Sequence, residues 1–141
     1  MRKVNRFKGV IMTRKYLNDI GFDDTVIGVE STDKRWNDWQ KEIKEYGFAE
    51  YETWNLDTSF YAWLYERLKF SLEFTPMFHV LCDFEFEGKK YTLEQLVNKM
   101  IHGCEIALKV DGWYLDLSEE DKKSIEDVRW IWATVMPALW W

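Results

Sequence analysis

Few residues in this chain are suited to holding a metal or attacking a substrate. There are two histidines and two cysteines, arranged as His79-x-x-Cys82 and His102-x-Cys104. Four soft ligands suit zinc when they converge on one point. The spacing works against convergence, because positions i and i+3 of a strand face opposite sides and positions i and i+2 of a helix diverge by about 200°. No metal or cofactor is therefore expected. Cys104 reads as a small core residue, with His102 turned away from it. Nucleophilic catalysis would need a base beside Cys82 or a serine, and the sequence has no GxSxG-type elbow. The seven glycines are scattered as helix stops and turns and form no phosphate-cradling loop.

Carboxylates and arginines offer more. Glu52 and Asp57 flank Trp54, and Asp83, Glu85 and Glu87 alternate further on. Such pairs suit acid–base or metal-dependent work. The simpler reading gives Asp57 a share in capping a helix and makes the later acids a solvated face. Arg67 falls on the helical side of Phe60, Trp63 and Ser71, so half-burial is expected, with Asp57, Glu52 or a ligand as its anion. Arg129, beside the apolar face of the last helix, poses the same question. Trp130 and the terminal Trp140-Trp141 are the expected surface aromatics. The candidate binding residues are thus Glu52, Trp54, Asp57, Arg67, Arg129, Trp130, Trp140 and Trp141. No catalytic or metal-binding residue is assigned.

The elements that must position them read as mainly α: a small bundle of about five helices with one short hairpin at about residues 79–91. Thr13 caps a helix over Arg14–Ile20 that Gly21 closes, and residues 21–32 read as loop. Asp33 caps a helix over Lys34–Tyr46, with Trp36, Trp39, Ile43 and Tyr46 as its stripe and Gly47 as its end. Tyr51–Phe74, dense in aromatic residues, reads as a central helix. Phe60, Trp63, Leu64 and Phe74 make one of its faces, Tyr61, Tyr65, Leu68 and Leu72 an adjacent one, and Thr75-Pro76 stops it. Phe84, Phe86 and Tyr91 alternate around a Glu87-Gly88 turn. Thr92 and Gln95 form a capping box for an amphipathic helix through Leu93, Leu96, Val97, Met100, Ile101, Cys104, Ala107 and Leu108, ending near Val110–Gly112. Ser118 starts the last helix, with Ile125, Val128, Trp132, Val135, Met136 and Leu139 as its buried face and Pro137 as its interruption. No repeat or linker appears, so residues 1–141 read as one domain.

At 141 residues and net charge −6, the chain is one domain long and too acidic to coat nucleic acid with its whole surface. Its charge is uneven. Residues 1–8 hold Arg2, Lys3, Arg6 and Lys8 and no acid, so −6 less these four positive charges leaves −10 on residues 9–141. The arm reads as a solvated terminus, and Met12 is an alternative start to Met1. The 25 aromatic residues need on the order of 5,000 Å² of burial, which one core of this size can hold. No secretory leader or membrane-length apolar run is read in the sequence, so free thiols in a reducing cytoplasm are expected.

Several segments together resemble a family of small bacteriophage and prophage proteins without an assigned activity. They are Gly47-Phe48, Glu52–Leu56 with Asp57, Trp63–Lys69, Tyr91–Lys109 and Pro137–Trp141. The likeness covers about the last two-thirds of the chain, together with Met12–Leu17. It implies a phage setting and transfers no functional residue. In that setting the leading expectation is an accessory protein, not an enzyme, that binds and blocks a host defence protein. An anti-CRISPR-like inhibitor, whose acidic surface occupies the basic channel of a nuclease, is the concrete form. Two alternatives stand beside it: sequestration of a nucleotide by Arg67 or Arg129 with tryptophans, and a metal-dependent enzyme using Glu52 and Asp57. Direct nucleic-acid or membrane binding is not expected. A homodimer through Trp130 or Trp140-Trp141 is a further partner to test.

Overall fold

The computed structural model describes residues 15–22, 31–76, 83–109 and 116–139. Thr13, the basic arm, His79, Cys82, the Val110–Gly112 helix end, Trp140 and Trp141 lie outside them. The described residues form five α-helices and one two-stranded antiparallel hairpin, the mainly α architecture that the sequence implies. The chain forms two compact units, residues 1–63 and 64–141.

In the first unit, α1 (Lys15–Asp19) buries Leu17, and the chain turns back so that the Phe22 N–H donates to the Leu17 carbonyl at 3.0 Å. Helix α2 runs Trp36–Tyr46, two residues later than a helix capped by Asp33 would begin. The reason is local. The Asp33 carboxylate accepts from the Arg35 backbone N–H at 2.8 Å and from its guanidinium at 3.1 Å, while the Asp33 carbonyl takes the Trp36 N–H. Asp33 therefore builds a turn ahead of the helix. Trp39 is buried with Ala49 and Tyr51, and Trp36 and Ile43 pack against this cluster. Tyr46, also placed on the stripe by spacing, is exposed on the last turn beside Gly47.

The stretch from Tyr51 to Phe74 is not one helix. Glu50–Thr53 is a 3₁₀ turn, Trp54-Asn55 a second turn, and α3 spans Leu56–Phe74. Glu52 is spent on the first of these, its carboxylate accepting the Ala49 N–H at 2.8 Å. The Ser59 N–H bonds to the Asn55 carbonyl at 3.0 Å, so Asn55 stands at the cap position and Asp57 in the first turn, where its charge suits the helix dipole. Helix α3 buries Tyr61, Ala62, Leu64, Tyr65 and Leu68. Trp63 and Phe74, expected on a buried face, are exposed together with Arg67 and Phe70. Their spacing of i, i+4, i+7 and i+11 defines a stripe of its own, about opposite the buried one.

In the second unit, β1 (Asp83–Phe86) pairs with β2 (Lys89–Thr92) across Glu87-Gly88. Both turn residues have positive φ, 49° and 73°, the type I′ geometry that matches strand twist. Helix α4 (Leu93–Lys109) starts with the expected reciprocal box: Thr92 N–H to Gln95 Oε1 at 2.9 Å and Gln95 N–H to Thr92 Oγ1 at 3.2 Å. Helix α5 (Glu119–Val135) is capped by Ser118, which accepts from the Asp121 N–H at 3.1 Å. The core of this unit is α4 on α5. Leu93, Leu96, Val97, Met100, Ile101, Cys104 and Leu108 meet Ile125, Val128, Ile131 and Val135. Two details differ from the periodicity reading. Ile131 is fully buried where Trp132 is only half-covered, and Met136 is exposed because the chain leaves α-geometry at Met136–Ala138, where Pro137 sits. Gly103, inside the helix as the apolar stripe implies, lies against α5: a Cβ there would overlap the Ser124 carbonyl oxygen and Val128 Cγ2.

Candidate functional site

Two side-chain clusters stand out, one in each unit. In the first, Trp54 lies edge-on to Trp39, ring centroids 5.6 Å apart, and Tyr51 meets Trp39 the same way at 5.3 Å. The Arg35 guanidinium sits over both indoles, 4.8 Å from Trp39 and 5.1 Å from Trp54. Its hydrogen bonds to the Asp33 carboxylate hold it there. They raise the guanidinium above its ordinary range and lower the Asp33 carboxyl below its own. Glu42 accepts the Glu50 N–H at 2.7 Å, and Trp39 Nε1–H reaches Glu50 at 3.5 Å. Asp33, Arg35, Glu42 and Glu50 are thus occupied in holding the α2–3₁₀ corner together. Glu52 belongs to that corner, as described, and Asp57 to the next turn. Trp54 is the one sequence-assigned residue that the cluster leaves exposed with an aromatic face in contact.

The arginines expected to be half-buried are not. Arg67 on α3 and Arg129 on α5 are both exposed, so neither requires a buried counter-anion. Spacing along an amphipathic helix placed them next to an apolar face, and in both cases the side chain falls on its solvent side. Cys104 is fully buried, and burial, with Glu105 nearby, pushes its thiol up to about 12 from an ordinary 9.0. His102, two residues earlier, is exposed. Among the described residues no group of three or more His, Cys, Asp or Glu side chains is placed to hold a metal ion.

The second cluster is an open cleft of about 480 Å³ between the hairpin turn and α5. Glu85, Phe86, Glu87, Lys123, Glu126, Asp127, Trp130 and Thr134 line it. Lys123 is held from two sides, its ammonium donating to Glu87 at 2.6 Å and to Asp127 at 2.8 Å. These bonds, Asp127 first, raise the ammonium well above its ordinary range, and the Lys123 bond lowers the Glu87 carboxyl below its own. Trp130 is 61 % exposed, with its Nε1–H aimed at Glu126 at 3.4 Å and its carbonyl accepting the Thr134 hydroxyl at 2.9 Å. Sequence reading singled out Trp130, and named Glu85 and Glu87 as a separate solvated face without joining them to it. The i,i+4 spacings Lys123–Asp127 and Glu126–Trp130 were visible signals. The arrival of Glu87 and Phe86 from the hairpin was not, since it depends on tertiary packing.

Comparison with family models, with curated proteins and with solved structures gives no match for this chain.

Proposed function

We propose that the protein acts by binding, as a phage-encoded accessory protein that inhibits a host defence nuclease of the CRISPR type by occupying its basic nucleic-acid channel. The observation that carries this reading is the cleft on the hairpin–α5 surface: four carboxylates and one lysine surround a solvent-facing tryptophan. Exposed Trp among charged groups is the composition of a protein-binding hot spot. The surplus of acid is the complement of a surface built for phosphates. The phage setting comes from the resemblance of the Tyr91–Lys109 and Pro137–Trp141 segments and agrees with a small acidic chain. No described helix is long and apolar enough to cross a membrane, which leaves these surfaces facing water in this reading.

The experiment is capture from a bacterial host lysate on immobilised protein, followed by elution across a salt gradient. The expected result is one stoichiometric partner that is a nucleic-acid-binding protein and elutes as ionic strength rises, since exposed charge contacts are screened over about 8 Å at physiological salt. Absence of any stoichiometric partner, or a complex indifferent to salt, removes the reading.

A further inference from the structure

We infer that the hairpin–α5 cleft is the seat of an arginine side chain of the partner, its guanidinium lying on the Trp130 indole with Glu85 and Glu126 as its counter-charges. This rests on the binding reading above and names the chemistry of one contact within it. Three observations select the occupant. First, the cleft carries four carboxylates against one cation, and that cation is already bound by Glu87 and Asp127. Glu85 and Glu126 form no ion pair within 4 Å with another described residue, although Lys90 stands across the hairpin from Glu85. The lining of the cleft therefore carries a surplus of negative charge, which disfavours an anionic ligand. Second, Trp130 is exposed, and its indole N–H is aimed at the Glu126 carboxylate at 3.4 Å. An exposed ring with acids at its edge is a platform for a flat cation. Third, the acids come in no group placed to hold a metal ion. A guanidinium fits where a metal does not, because it stacks on the ring face and forks its N–H donors to carboxylates at the rim. Ammonium is more strongly hydrated and cannot stack.

The test is a titration of ¹⁵N-labelled protein at low salt with acetyl-arginyl-arginine amide, alongside its lysine and citrulline counterparts. The Trp130 indole N–H signal is identified by its loss in Trp130→Phe. The expected result is a saturable shift of that signal with the arginine probe, a weaker one with lysine and none with citrulline, which keeps the shape and loses the charge. Combined Glu85→Gln and Glu126→Gln should weaken the arginine probe about tenfold, the order of a lost charge-assisted contact. Glu120→Gln, outside the cleft, should leave it unchanged. These surface changes are isosteric, and far-UV circular dichroism verifies the fold of each. An unmoved Trp130 signal, an equal response to citrulline, or an equal loss in Glu120→Gln overturns the assignment. The two readings fail separately: a partner that still binds Trp130→Ala removes this seat and keeps the binding function, whereas a saturable arginine site with no captured partner does the reverse.

Discussion

At the scale of single residues, side chains that look chemical turn out to be structural, and a glycine inside a helix is a packing requirement. Cys104 shows the first case. Its thiol ionises near 12 when folded against 9.0 ordinarily, so the folded state holds the proton more tightly. The contribution to stability is complete below pH 9 and is lost as pH rises from 9 toward 12. Wild type should therefore lose stability relative to Cys104→Ala across that window, measured by urea denaturation at each pH, and the thiol should resist alkylation until the protein unfolds. A constant gap between the two proteins would contradict the buried position. Gly103 shows the second. A methyl group there meets the Ser124 carbonyl and Val128 on α5. Gly103→Ala should cost about 1–3 kcal/mol by forcing the helices apart, although Ala alone favours a helix by about 1 kcal/mol. A rise in melting temperature would refute the close approach. Residue type alone pointed correctly to Cys104 as core, because an apolar stripe is a local property. The close approach at Gly103 was not legible, since the backbone it meets belongs to another helix.

At the scale of elements, the legible parts were those set by neighbours in sequence. The Thr92–Gln95 box, the Ser118 cap, the Glu87-Gly88 turn and the Phe74 helix stop all depend on a few consecutive residues. Removing the cap with Ser118→Ala should lower stability by about 0.5–2 kcal/mol, read as a shift in the denaturation midpoint without a change in slope. The misread parts are those where two local signals compete. Asp33 can cap a helix or close a turn on Arg35, and the bidentate bond to Arg35 favours the turn. Aromatic residues on every side of α3 hide which face is buried, and the choice falls on Tyr61, Leu64, Tyr65 and Leu68. Glu87 holds a left-handed backbone uncommon for a side chain of its kind, and its carboxylate meets Lys123. That contact ties the hairpin to α5. Lys123→Met should therefore speed amide hydrogen exchange in Phe84–Tyr91 while leaving α4 protected. Unchanged exchange in the hairpin would mean that apolar packing alone holds it.

At the scale of the molecule, charge and exposure bear most on function. The proposed binding role rests on an acidic chain with an exposed tryptophan in a carboxylate-lined cleft. Composition made the acid surplus visible, and the position of Trp130 off the buried face of α5 followed from helical periodicity. The cleft did not, because three of its eight lining residues come from the hairpin. Glu52 and Asp57, the most conspicuous acids in the sequence, are given to the geometry of the chain before and at the start of α3. The measurement that tests the central claim most directly is competition. The captured partner is saturated with a short DNA or RNA strand, and the protein is titrated in at fixed, near-physiological salt. The account predicts that the strand is released stoichiometrically, that higher salt weakens the protein's hold, and that the Glu85→Gln, Glu126→Gln variant needs markedly more protein to do the same. A partner that carries its nucleic acid and this protein together would contradict it.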